Sequence, residues 1–224
     1  MEKVEKLLNA ASQSQRDSLA KLLPEENFSK GKPASIEKLI YSIRWANDSS
    51  FWGQVVSDGK SYHQILQTVA KQLEINIPAA ENTEEQIEQR ICQKVLSGVL
   101  EKMNASQREM FIAAIQKESA KYGSDKSLLG VGGVAAALTA GKLGGFSTYI
   151  LASSSLAAIT GAAGLTLPFA AYTGLSAALG TALGPVGWIG LGLFALLSGG
   201  PQYDKLIPAI LYISMLRNEP KTTS

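Results

Sequence analysis

The stretch Gly164-Leu-Thr-Leu-Pro-Phe-Ala-Ala-Tyr-Thr-Gly-Leu-Ser-Ala-Ala-Leu-Gly-Thr-Ala-Leu-Gly-Pro-Val-Gly-Trp-Ile-Gly-Leu-Gly-Leu-Phe-Ala-Leu-Leu-Ser-Gly-Gly200 holds no charged residue. Its reading decides whether the chain hides an apolar core in water or offers it to a bilayer. The charge-free run is longer still. From position 143 to 203, 61 residues carry no charge and 12 of them are glycine. Ordinary soluble domains hold about 25% charged residues. Upstream the balance reverses: residues 1–126 hold 17 basic and 17 acidic side chains. Two materials are therefore joined near Gly123. The expected organisation is a charged amphipathic helical domain over 1–123, then an apolar glycine-rich region with a closing helix over 124–224.

Small residues in the apolar part recur at helical spacing. Gly133, Ala137, Gly141 and Gly145 are each four apart, as are Ser153, Ala157 and Gly161, and Ser176, Gly180 and Gly184. Such ridges let helix backbones approach closely and are typical of packed membrane helices. In water each helix-interior glycine costs about 1 kcal/mol relative to alanine, so these helices need tight packing. About 20 apolar residues cross a bilayer. Phe146 to Leu167 and Leu175 to Leu197 are long enough, and together predict a helical hairpin turning between Pro168 and Gly174. The second arm holds ten strongly apolar residues, favouring insertion by roughly 3–6 kcal/mol before its glycines and Pro185 are subtracted. The first is marginal because seven hydroxyl residues, including Ser153-Ser-Ser155, offset its seven strong apolar ones. Such weak spans suit a hairpin that also sits inside a bundle, as in water-soluble pore-forming domains of the colicin type. Trp188 falls mid-span, where it is expected to pack rather than anchor at an interface.

The charged half reads as short helices separated by caps. Val4, Leu7, Leu8 and Ala11 form one stripe. Ser12 with Gln15, Ser61 with Gln64 and Thr83 with Gln86 have capping-box spacing, and Ser35 caps a fourth helix. Ile87, Ile91, Val95 and Val99 line the longest helix. A closing helix over Tyr203 to Leu216 is expected to turn Leu206, Ile207, Ile210, Leu211 and Met215 to one side, with Pro208 in its first turn. No segment alternates like a strand. The predicted fold is an all-α multi-helix bundle with a glycine-rich apolar hairpin near the C-terminus.

Catalytic chemistry finds little support in the residues. Gly130-Val-Gly-Gly-Val-Ala135 follows no predicted strand, so a dinucleotide site is not expected. Gly141-Lys142 is followed by Leu143, which excludes a phosphate-cradling loop. His63 and Cys92 are each the only residue of their kind, so a His/Cys metal cluster cannot form. Glu84, Glu85 and Glu88 could pair as acids, but at a helix start they are expected to complement the dipole. No cofactor and no enzyme activity are expected. A net charge of +2 argues against nucleic acid as a partner. The opening Met1-Glu-Lys-Val-Glu-Lys has no apolar stretch behind it, so cytoplasmic synthesis is expected. Trp45, Phe51 and Trp52 lie close in sequence, as core anchors or as a partner surface. The expected partners are a lipid bilayer at the inner membrane, a second copy of the chain, or an apolar protein client of a soluble form.

Several segments also resemble the YaaW family of uncharacterised bacterial proteins. They are Leu7 to Leu23, Phe51 to Asn76 with Gly59-Lys-Ser-Tyr62, and Glu84 to Ile115 with Met103-Asn-Ala-Ser-Gln-Arg-Glu-Met-Phe111. Gly184-Pro-Val-Gly187 and Ile207-Pro-Ala-Ile-Leu-Tyr-Ile-Ser-Met-Leu-Arg217 complete the set. The resemblance covers most of the chain. That family is loosely associated with a ubiquinol–cytochrome c chaperone domain, which implies an assembly role and brings no catalytic motif. The chain departs from it in the middle, where its glycine-rich region is longer and more continuously apolar.

Overall fold

The computed structural model describes residues 1–48, 59–80, 82–106, 108–109, 111–113, 145–162 and 202–219. Its delimited elements are α1 (Glu2–Ala10), α2 (Gln13–Ala20), a 3-10 turn (Glu25–Asn27), α3 (Ile36–Asn47), α4 (Tyr62–Gln72), α5 (Glu84–Lys102), α6 (Gly145–Ala162) and α7 (Tyr203–Arg217). There is no strand among the described residues, and the chain is all-α.

The helix starts follow the predicted chemistry. Ser12, Ser61 and Thr83 each accept a bond from the backbone N–H three residues on, while Gln15, Gln64 and Gln86 accept one from the capping residue's own N–H. Two orphan donors are thereby satisfied at each start. Ser35 accepts from the Lys38 N–H in the same way. The end of α4 is less ordinary. Glu74 takes a left-handed φ of 55°, and the Ile75 N–H bonds the Ala70 carbonyl at 2.8 Å. This is the backbone closure usually given to glycine.

One apolar cluster joins the described parts of the charged half to those of the uncharged half. It draws Val4 and Leu8 from α1, Leu39 and Ile43 from α3, and Ile65, Leu66 and Val69 from α4. Ile87, Ile91, Val95 and Leu96 enter from α5, Ile150, Leu151 and Leu156 from α6, and the whole middle of α7. The boundary predicted near residue 123 lies outside the described residues.

α7 is the hub. It packs most extensively on α6 and also meets α1, α3, α4 and α5. Every residue from 206 to 216 is buried, where the sequence pattern led us to expect burial along one side. A helix apolar all round belongs in an interior. Pro208 lies one turn deeper than expected, as the sixth residue of α7. The chain tethers both ends of this helix. The Gln202 N–H bonds the Ala46 carbonyl at 2.7 Å, and the Tyr212 hydroxyl donates to the Gln15 carbonyl at 3.0 Å.

α6 corresponds to the first arm of the predicted hairpin. Every residue from 148 to 156 is buried, and the helix packs between α5 and α7. Its hydroxyls are satisfied close to home. Ser153 donates to the Ile150 carbonyl at 3.1 Å. Ser155 donates to Leu151 at 2.7 Å and across to the Cys92 carbonyl of α5 at 3.3 Å. Among the described residues no helix is long and apolar enough to cross a membrane, and the hydroxyl run Ser153–Ser155 is the physical reason α6 falls short.

Candidate functional site

The most unusual chemistry lies where three helix ends meet. The Thr83 cap fixes the start of α5, so Glu84 and Glu88, four apart, project along one side. The last residue of α7, Arg217, enters that side. Its Nε is 3.1 Å from Glu88 Oε2 and its Nη2 is 3.0 Å from Glu88 Oε1. This is a bidentate pair, the strongest geometry open to arginine and a carboxylate. Arg217 Nη1 reaches Glu85 Oε1 at 3.4 Å, and Nη2 stands 3.8 Å from Glu84 Oε2. On the outer rim Lys3 of α1 approaches Glu85 Oε1 at 3.3 Å. From the start of α4, the buried Tyr62 hydroxyl sits beside Glu88, without a hydrogen bond of full geometry.

Glu88 is wholly buried, whereas 15% of the Arg217 side chain remains accessible. Removing a carboxylate from water disfavours its charged form. Burial therefore pushes Glu88 up to about 7, against the pull of the Arg217 guanidinium. Burial also opposes charge on Arg217, but Glu88 and then Glu85 carry it above its ordinary value. The Tyr62 hydroxyl is raised by burial and by the Glu88 charge. One turn along α5, burial pushes the Cys92 thiol up to about 12. A thiol with so little thiolate is a poor nucleophile, and the Ser214 hydroxyl of α7 lies beside it.

This arrangement can bind and release a proton and can hold helix ends together. Its most perturbed carboxylate, Glu88, is not presented to solvent, as a general acid or base acting on an external substrate would be. Among the described residues no group of three or more His, Cys, Asp or Glu side chains is placed to hold a metal ion. His63, next to Tyr62, is half-buried and its Nε2 lies 3.0 Å from Gln67 of the same helix.

The residues singled out from sequence are only partly within view. Gly145 and Gly161 lie on the backbone of α6. Gly133, Gly141, Pro168, Gly180, Gly184 and Trp188 lie outside the described residues, as do Phe51 and Trp52. Trp45 is half-buried on α3, four residues after Tyr41, a large apolar side chain left 47% exposed. Glu84 and Glu85 do occupy the first turn of α5, as a dipole role requires, but that role is too small an account of Glu88. Glu88 lies four residues before Cys92 and eight before Leu96, both buried. An acid on a line of core positions was the available signal. Its partner, 129 residues away, gave none.

No family model, no curated protein and no solved structure matches the chain, so the functional reading rests on its own residues.

Proposed function

We propose that this chain is a non-enzymatic, membrane-interacting helical protein whose 146–197 hairpin inserts into a bilayer conditionally, in the manner of pore-forming domains. In this reading it is made in the cytoplasm and acts at the inner membrane. The observation that carries the proposal is the charge-free run of 61 residues from 143 to 203, which includes α6, where Ser153 and Ser155 each bond a carbonyl of their own helix. Polar groups satisfied within one helix keep their partners when that helix changes surroundings, which a bilayer interior demands. Burial of α6 between α5 and α7 supports a resting form that keeps the first arm away from water. The small-residue ridges at Gly180 and Gly184 would then pack helices of one or more copies together.

The test is dye leakage from vesicles together with carbonate-resistant pelleting. Wild type is expected to pellet and to cause leakage, and Gly180→Leu and Gly184→Leu are expected to reduce leakage. A monodisperse, detergent-free protein that neither pellets nor causes leakage overturns the proposal.

The complete burial of residues 148–156 also favours a second reading, a soluble chaperone or adaptor that stays closed around its apolar helices. It would bind an apolar client or a second copy of itself. The resemblance to the YaaW family, with its implied assembly role, belongs with this reading. Capture of a defined client without any pelleting would support it.

A further inference from the structure

We propose that the Glu88–Arg217 junction is a proton-controlled latch: a proton held within its carboxylate cluster keeps the end of α7 against α5, and loss of that proton loosens it. The latch deepens the insertion reading and rests on it for its purpose, because α7 is the helix that packs most extensively on α6.

Charge counting comes first. Three carboxylates, Glu84, Glu85 and Glu88, gather around one guanidinium. Among the described residues the other cation in reach is Lys3, which meets Glu85 at the accessible rim. Three negative charges against two positive ones leave the cluster one charge short. The shortfall falls at its driest point, since Glu88 has no exposure and one Glu84 oxygen is buried without a hydrogen bond. Uncompensated charge is most costly in such a place. A proton is the smallest species that removes the deficit; the Tyr62 hydroxyl beside Glu88 favours the carboxylate as a donor and can turn to accept from the acid once it forms.

Arg217 and Ser214 approach from α7, Tyr62 from α4, and Glu84, Glu85 and Cys92 from α5 itself. α6 carries no acidic or basic residue, and Lys3 of α1 acts through Glu85.

The direction follows from linkage. In the closed junction Glu88 holds its proton to about pH 7, and once exposed it releases it at the ordinary value of 4.5. The proton therefore favours the closed form. That contribution is complete below about pH 4.5 and is lost as pH rises towards 7. Inside this window opening grows by about five- to sevenfold per pH unit, and by roughly seventy-fold between pH 5 and pH 8.

Hydrogen exchange at the backbone amides of residues 211–217, in the absence of lipid, tests the latch. Rates are corrected for intrinsic exchange and compared between wild type and Glu88→Gln, whose amide does not titrate. We expect wild-type opening to increase roughly seventy-fold from pH 5 to pH 8, and the increase to vanish in Glu88→Gln. Corrected exchange that is flat, or that slows with rising pH, overturns the proposal. If Glu88→Gln fails to fold, the carbon-13 shift of the Glu88 carboxyl in wild type decides. A titration midpoint near 7 supports the latch, and one at or below 4.5 sinks it. Because no bilayer takes part, these outcomes are independent of whether the hairpin inserts.

Discussion

The chain buries polar groups in two opposite ways. At the α5–α7 junction it buries charges, and Glu88 and Arg217 depend on each other across 129 residues. Along α6 it buries hydroxyls, and Ser153 and Ser155 turn back to carbonyls of their own helix, with one longer bond from Ser155 to Cys92 of α5. The first arrangement exists only while the helices stay docked. The second travels with the helix. The first set of bonds is lost when the helices part, whereas most of the second is not.

The sharpest way to break this contrast is to remove one charge. Arg217→Met leaves Glu88 buried and uncompensated, and should cost about 3–5 kcal/mol in urea unfolding, a large share of the stability of any single domain. Adding Glu88→Leu to that variant should recover most of the loss, since apolar replacement of a whole buried pair is often neutral or stabilising. If the double variant stays as unstable as the single one, the junction is not a charge pair in energetic terms.

Shape, rather than charge, dominates on the other side. Leu156 is fully buried on α6. Leu156→Ala should cost roughly 2–4 kcal/mol through lost burial and the cavity left behind, again by denaturant titration. A cost near zero would mean α6 is not docked as described. Ser155→Ala, by contrast, should cost less than about 1 kcal/mol, because it removes a donor whose acceptors are carbonyls. If its cost matched that of Arg217→Met, the two modes of burial would be one.

The smallest expected effect lies away from both regions and has the opposite sign. Glu74 closes α4 in the left-handed conformation, which is strained for a residue with a Cβ. Glu74→Gly should raise stability by roughly 0.5–1 kcal/mol, partly offset by the entropy glycine adds to the unfolded chain. An unchanged or lower thermal midpoint would contradict that backbone assignment.

Much of the fold was legible in the residues, and for local reasons. Capping boxes at Ser12, Ser61 and Thr83 involve groups three residues apart, so the sequence displays both partners at once. The stripe Ile87, Ile91, Val95 likewise declared its buried side. What stayed hidden is non-local. Glu88 and Arg217 carry no mark of each other, and Glu84 and Glu85 beside Glu88 made an ordinary helix start the simpler explanation. α7 was expected to bury one side, because Leu206, Ile207, Ile210, Leu211 and Met215 recur at helical spacing. Its all-round burial depends on α1, α3, α4, α5 and α6 converging on it. Of the segment expected to form a hairpin, Gly145–Ala162 is helical and packs on α5 and α7, and the rest lies outside the described residues.

The central claim is that the docked bundle must open before the apolar region meets lipid. Ser214 of α7 faces Cys92 of α5, so a Ser214→Cys variant can fasten the two helices by an oxidisable bond. Dye release from vesicles, measured on that variant before and after reduction, tests the claim most directly. The account predicts silence while oxidised and leakage on reduction. Equal leakage in both forms, or none after reduction, would contradict it.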